Sequence, residues 1–359
     1  MRNSRVKLKN LIKAASFVLI FILIMQLVMF VAVPNNVISK RVMEDFYNTG
    51  HLDMTFVGSS TVSRTINAPM LDDQLNIQSF DLATNSAKYI DNFYMIRELY
   101  RVSSSDTVFI SLPVMRLQKT WIDYEESLII GSKLVFDYMQ PSQVKLEYYL
   151  NAFPDDFRIN ALFPGLELVN AQSFNMSQLK NNIKNKITDP QMTTGWDDEY
   201  QYGGRGYIAT DRTFSTEQAM SDIDLLAWSE SDVDQESLDY LKKSIELCQA
   251  HGSKVVLFAP PMPAIAFAQT GNYQGFHQYA TALAQSYGVD FLDFNYAKPK
   301  FFKAETKYFY DARHMNREGA TVFTKALAAF LPGYLNGSYE MDKYFFSSYA
   351  ESINARSRK

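Results

Sequence analysis

Residues 14–33, AASFVLIFILIMQLVMFVAV, form a long apolar run without a charge. As a helix rising about 1.5 Å per residue, such a run spans roughly 30 Å, the thickness of a bilayer core. Beyond it the pattern breaks into short apolar segments. Strands are expected at 53–58 (DMTFVG), 77–82 (IQSFDL), 106–112 (DTVFISL), 254–259 (KVVLFA) and 289–293 (VDFLD). These are continuous apolar runs rather than strict alternations, which suits strands buried on both faces. Helical spacing lies between them. Residues 87–101 place Ile90, Phe93, Tyr94, Ile96 and Leu99 on one side. Residues 237–251 do the same with Leu238, Leu241, Ile245, Leu247 and Cys248, and stop at His251-Gly252, where glycine supplies a left-handed cap. Further helices are expected at 272–287 and at 316–331, the last with Asn316 as its cap. Strands alternating with helices predict an α/β fold around a mainly parallel five-stranded sheet.

Arg2, Arg5, Lys7, Lys9 and Lys13 precede the apolar run, so the positive-inside rule puts the N-terminus in the cytoplasm and everything after Pro34 outside. The rival reading is a cleaved signal peptide. Its apolar region is usually only about 7–15 residues long and ends at small residues, and FVAVPNN is a poor cleavage site. The expected organisation is a basic tail (1–13), a transmembrane anchor (14–33), a juxtamembrane helix or linker (34–51), a folded domain (52–331) and a polar, aromatic tail (332–359). Residues 114–235 break the strand–helix rhythm with Trp- and Pro-punctuated stretches, the Asn-rich NNIKNKITD and the Gly-rich YGGRGY. They read as a long insertion or cap.

Composition narrows the picture. The chain has 359 residues, 47% hydrophobic and 21% charged, enough for one large domain with insertions. A net charge of -4 argues against a protein that wraps nucleic acid. The 14% aromatic content fits a rich core or a carbohydrate-facing surface equally well. The single cysteine, Cys248, excludes an internal disulfide and cysteine-rich zinc sites, and reads as a buried thiol. A disulfide-free outer domain fits a bacterial surface protein. No phosphate-cradling glycine loop follows the first strand, and the histidines and carboxylates are not clustered as a metal hydrolase needs. Neither a cofactor nor a metal is expected.

Open α/β sheets hold ligands at the carboxyl ends of their strands. After the first strand stands Gly58-Ser59-Ser60-Thr61, after the second Ala83-Thr84-Asn85-Ser86, and past a loop after the fifth Asp311-Ala312-Arg313-His314. Topology thus brings hydroxyls, small polar turn residues and an acid–imidazole pair to one rim. A serine hydroxyl needs a base, and the base an orienting acid. Of the four histidines, His51 precedes the first strand, His251 ends a helix and His277 lies within one. Only His314 sits in a strand-exit loop with a carboxylate in reach. Taken singly, Gly-Ser-Ser is a common turn, and Asp-x-x-His reads equally as a turn with Asp capping an amide.

Together, FVGSS after the first strand and YDARHMN before the last helix resemble the SGNH/GDSL hydrolase superfamily over roughly residues 52–112 and 236–331. The resemblance implies a flavodoxin-like, three-layer fold. It places the nucleophile on Ser60, the general base on His314 and the orienting acid on Asp311. The superfamily's oxyanion glycine would fall near Asn85 or Ser86, and its Gly-x-Asn-Asp block on Leu112-Pro113-Val114. Here the oxyanion donors would be the Ser60 amide with the Asn85 side chain or the Ser86 amide. The chain is also similar to the membrane-anchored branch that decorates bacterial envelope polymers, which includes teichoic acid D-alanine transfer and exopolysaccharide O-acetylation proteins. That similarity implies an acyl group moved to or from a cell-envelope polysaccharide or teichoic acid, alongside a multi-spanning membrane O-acyltransferase. The alternative is a non-catalytic protein of the same fold that binds glycan or assembles with such an enzyme. Arg64, one helical turn past Ser60, is either a solvated helix residue or a contact for an anionic substrate. Arg205, within YGGRGY, is either part of a cap hinge or a substrate clamp.

Overall fold

Seven strands run in chain order: β1 (Leu52–Ser59), β2 (Ser79–Thr84), β3 (Ser105–Ser111), β4 (Gln201–Gly204), β5 (Tyr207–Ala209), β6 (Lys254–Ala259) and β7 (Asp290–Asp293). The computed structural model describes residues 2–32, 38–124, 128–162, 176–188, 199–214 and 227–357. The boundary at Val33-Pro34 and parts of the expected insertion lie outside them. Five strands form one sheet in the order β2-β1-β3-β6-β7, with every neighbouring pair parallel. This is the flavodoxin-like order, in which the strand sequence reverses beside β1. The five expected strands are these five, with ends displaced by a residue or two.

The sheet is buried on both faces, as the unbroken apolar runs require. Phe56 of β1 pairs in register with Phe109 of β3, their rings stacked 4.8 Å apart, and Phe258 of β6 meets both edge-on. All three are at most 2% exposed, and each contributes about 1.5–3 kcal/mol of burial. Helices Tyr89–Val102 and Gln235–Ala250 pack together, as do Ala68–Leu75 and Arg317–Leu335. Right-handed crossovers put these two pairs on opposite faces, giving three layers. Gly252, at a φ of 80°, ends Gln235–Ala250 as the sequence predicts. Cys248 is buried, and burial pushes its thiol up to about 12.

By contact, residues 1–37 and 153–196 group into one compact unit, and residues 38–152 and 197–359 into another. Within the first, helix Arg2–Ala32 contains a stretch, Leu8–Val28, long and apolar enough to cross a membrane. Asn182 of helix Met176–Thr188 donates to the Val31 carbonyl (3.2 Å). The second unit holds the sheet. Its first helix, Ile38–Tyr47, lies where a linker or juxtamembrane helix is expected, and buries Val42, Met43 and Phe46, with Phe46 against Phe80 of β2. Residues from the irregular stretch are anchored too. Buried Asp91 caps its own helix at the Lys88 amide and accepts hydrogen bonds from Ser132 Oγ (2.7 Å) and Tyr148 Oη (2.6 Å). The tail after residue 331 packs as well, with Phe345 against Phe294, Phe301 and Phe330. Much of the aromatic content among the described residues is thus core.

The YGGRGY loop is the turn of the β4–β5 hairpin, where Gly204, Arg205 and Gly206 all have positive φ. Its Arg205 carbonyl accepts from the Asp81 amide on the β2 edge (2.8 Å). A Cβ on Gly206 would stand 2.0 Å from the Asp81 carbonyl, so glycine is required there twice over. Beneath this contact the Asp81 carboxyl is fully buried and neither oxygen has a hydrogen-bond partner. Burial, then the nearby Asp72, holds it well above the usual carboxylate range. A raised folded pKa gives stability that is complete below the unfolded value, about 3.9, and is lost as pH rises through the folded one. Asp81→Asn is therefore expected to melt higher at pH 7, by roughly 2–4 °C for each kcal/mol recovered. The gain should vanish towards pH 4, and a variant that melts lower at pH 7 would refute this account.

Candidate active site

β1 ends in Ser59, and the chain turns at once into the single helical turn Ser60–Ser63. The turn folds back tightly because residue 58 has no side chain. A Cβ there would lie 2.3 Å from Val62 and 2.9 Å from Ser111 of β3. Ser60 opens the turn, so its amide has no intrahelical acceptor. Behind it lies buried Asn92, whose amide, turned so that both its ends are satisfied, donates to the Gly58 carbonyl (3.0 Å) and accepts from Arg116 (3.2 Å).

Across the rim, residues 310–314 form a closed turn. Phe309 and Met315, both fully buried, pair as an antiparallel bridge, and the Tyr310 amide donates to the His314 carbonyl (3.1 Å). Asn316 caps the following helix at the Gly319 amide (3.0 Å), as its sequence position predicts. Asp311 Oδ1 accepts from the amides of Arg313 and His314, each at 2.8 Å. So the carboxylate does act as a turn cap, and its other oxygen is also engaged. Oδ2 accepts from His314 Nδ1 at 2.7 Å, and His314 Nε2 lies 2.8 Å from Ser60 Oγ. Ser60, His314 and Asp311, some 254 positions apart at the longest link, form one continuous hydrogen-bonded line.

Burial lowers the His314 pKa, and Arg64 and Arg313 lower it further against the opposing pull of Asp311. Burial works to raise the Asp311 carboxyl, but the His314 ring and then Arg313 outweigh it and hold it well below the usual carboxylate range. At neutral pH the pair is a carboxylate and a neutral imidazole whose Nδ1–H is fixed on Asp311. Nε2 is left to accept the Ser60 proton, the state a general base needs.

The line opens into a cavity of about 440 Å³. Asn85 and Ser86 both reach it. Ser86 has a φ of 54°, a left-handed conformation that favours glycine, at the place where the resemblance expects one. Asn85 Oδ1 accepts from Arg64 Nη2 (3.3 Å), which leaves the amide nitrogen of Asn85 as its donor to the cavity. Pro113 also lines the wall, within the Leu112-Pro113-Val114 stretch on which the superfamily's Gly-x-Asn-Asp block would fall. Arg64 is not a solvated helix residue: it is 6% exposed and lines the cavity. Arg205 does not line it. Its guanidinium lies 3.5 Å from Asp72 beside a separate hollow. The remaining histidines are elsewhere: His51 is exposed beside Asp106, His251 stacks on Tyr100, and His277 pairs with Asp293.

Several lining residues escape the sequence reading, among them Trp121, Tyr200, Arg212, Tyr310 and Arg313. Tyr310 adjoins the Asp-x-x-His motif and Arg313 lies within it, so both were legible by adjacency. Tyr200 and Arg212 lie in the irregular stretch, where no periodicity marks a residue as facing a site.

No family model matches the chain, and no curated protein does. Among solved structures, the crystal structure of a "putative acylhydrolase" from Bacteroides fragilis aligns at a TM-score of 0.37 and 11% identity, over 83% of this chain and 95% of that one. At that TM-score the likeness adds nothing to the geometry of the Ser60 cavity.

Proposed function

We propose that this chain is a membrane-anchored serine esterase or O-acyltransferase that works outside the cytoplasm through an acyl-Ser60 intermediate. The observation that carries the reading is the unbroken Asp311–His314–Ser60 line at the mouth of a cavity, with 2.7 and 2.8 Å links. His314 Nε2 takes the Ser60 proton as Oγ attacks an ester carbonyl. The Ser60 amide, with the Asn85 side chain or the Ser86 amide, holds the tetrahedral oxyanion. The intermediate collapses, His314 gives its proton to the departing alkoxide, and acyl-Ser60 remains. A water or sugar hydroxyl then loses its proton to His314 and takes the acyl group, and the proton returns to Ser60. Water makes the protein an esterase, a sugar hydroxyl a transferase. The basic residues before the apolar helix support a cytoplasmic N-terminus. The substrate we assign is an acyl ester of a cell-envelope polysaccharide or teichoic acid, handled beside a membrane O-acyltransferase.

The lack of the superfamily's glycine at Asn85-Ser86 and of its asparagine in Leu112-Pro113-Val114 favours a second reading, a binding protein that has lost its chemistry. Treating the full-length protein with a fluorophosphonate and mapping the adduct by mass spectrometry separates the two. An adduct on Ser60 is expected, whereas a folded protein that takes no label would establish the binding reading.

The acid limb of the rate profile follows from His314. Its folded pKa lies below the ordinary 6.5, and only the neutral ring accepts a proton. With a small activated ester, kcat/KM should be level from about pH 7 upward and fall only below about 6.5. A midpoint at or above that value would contradict the burial argument.

A further inference from the structure

Among the described residues, four arginines line the Ser60 cavity, Arg64, Arg116, Arg212 and Arg313, against one acidic residue, Asp311. Its carboxylate is already held by two amides and the His314 ring. Arg116 is accounted for: it donates to the Ala87 carbonyl, meets Asn92 and lies over the Tyr89 ring. Arg313 lies 4.5 Å over Trp121.

Arg64 is different. Only 6% exposed, it makes no ion pair with any carboxylate among the described residues. Its Nε has no hydrogen-bond partner, and one Nη donates to neutral Asn85. A buried charge without a counter-charge is expensive. What surrounds this one is an aromatic bracket, with Tyr200 4.6 Å and Tyr310 5.8 Å from the guanidinium. Arg212 hangs on the same two rings. It lies 5.1 Å over Tyr310 and donates to Tyr200 Oη (3.0 Å), and the acid it meets among the described residues, Glu199 at 3.4 Å, is mostly exposed. Tyr310 in turn stacks flat on His314, centroids 5.3 Å apart. Two cations are thus held on an edge-to-face ring pair directly beside the base. Cation–π contacts hold a guanidinium in place but leave its in-plane N–H groups to donate, and those forks match carboxylate and phosphate oxygens.

We propose that Arg64 and Arg212 form an anion subsite next to Ser60, and that the ester this protein processes carries a negatively charged phosphate or carboxylate group close to the scissile bond. The assignment of an ester rests on the function proposed above; the anion subsite itself does not need Ser60 to react.

Two measurements on the full-length protein in detergent micelles separate these claims. The first is calorimetric titration of the Ser60→Ala variant with glycerol 3-phosphate and, separately, with glycolate, with glycerol as the neutral control. Binding of at least one anion and none of glycerol is expected, weakened about 10–100-fold by Arg212→Gln and by Arg64→Gln. Preference for the phosphate or the carboxylate probe identifies which group the substrate carries. The second is the ratio of kcat/KM for acetylated glycerol 3-phosphate to that for acetylated glycerol. It should exceed about 10 in the wild type and fall towards 1 in Arg212→Gln, with Arg212→Lys recovering part of the selectivity. Anion binding that depends on the arginines in a protein that never labels at Ser60 would keep the subsite and overturn the catalytic reading. Labelling at Ser60 with no anion binding, or with binding indifferent to both arginines, would overturn the subsite and keep the catalyst.

Discussion

Ser60→Ala is expected to abolish covalent labelling by a fluorophosphonate and to lower ester turnover by about 10³–10⁶-fold, the range seen when a triad nucleophile is removed. The size of the effect follows from the proposed chemistry: without Oγ no acyl-enzyme forms, and only the cavity's binding and oxyanion donors remain. The variant should fold. Ser60 is part-buried, and the change removes one hydrogen bond, worth about 0.5–1.5 kcal/mol. The adjacent serine supplies the control. Ser59 Oγ faces Thr61 Oγ1 at 3.3 Å, and His314 reaches Ser60. Ser59→Ala should therefore still label. Equal loss in both variants would point to a disturbed turn, and retained labelling in Ser60→Ala would end the acyl-serine proposal.

The sheet was legible because its strands are buried on both faces. That leaves unbroken runs such as KVVLFA, observed as Lys254–Ala259, and each run ends where a chemically loaded loop begins. The acid–imidazole turn was legible for the same reason: its residues are local in sequence, and Asn316 marks the helix that follows. What lay hidden was non-local. Asp81 sits inside an ordinary apolar run, and nothing in IQSFDL says that its carboxyl is sealed under a hairpin 120 positions downstream. YGGRGY announces a close backbone approach, but a glycine loop does not name its partner, which is the β2 edge rather than the substrate. For Arg64, helical spacing gives an angle and not a neighbourhood, so the sequence alone does not choose between solvent and substrate. Tyr200 and Arg212, which place it in a cavity wall, come from a stretch with no readable period.

Asp311→Asn tests the tautomer on which the mechanism depends, and should lower kcat/KM by about 10²–10⁴-fold with little change in fold. Asparagine keeps an oxygen for the Arg313 and His314 amides, which accept no substitute at 2.8 Å, so the turn closes as before. The other terminus becomes an NH2 facing His314 Nδ1, where Oδ2 stood at 2.7 Å. Two donors cannot share that contact, so Nδ1 must give up its hydrogen and Nε2 must carry it. Nε2–H then points at Ser60 Oγ and cannot take its proton. Asp311 is also the group that opposes burial in setting the His314 pKa, so its loss lets that pKa fall further. The acid limb of the profile should move to lower pH while the plateau drops, a combination that a merely loosened turn would not produce. Labelling by a fluorophosphonate should persist but slow by a similar factor. A variant within about threefold of wild-type activity, with its acid limb unmoved, would mean that Asp311 only shapes the turn and that the line from carboxylate to hydroxyl is not the working path of the proton.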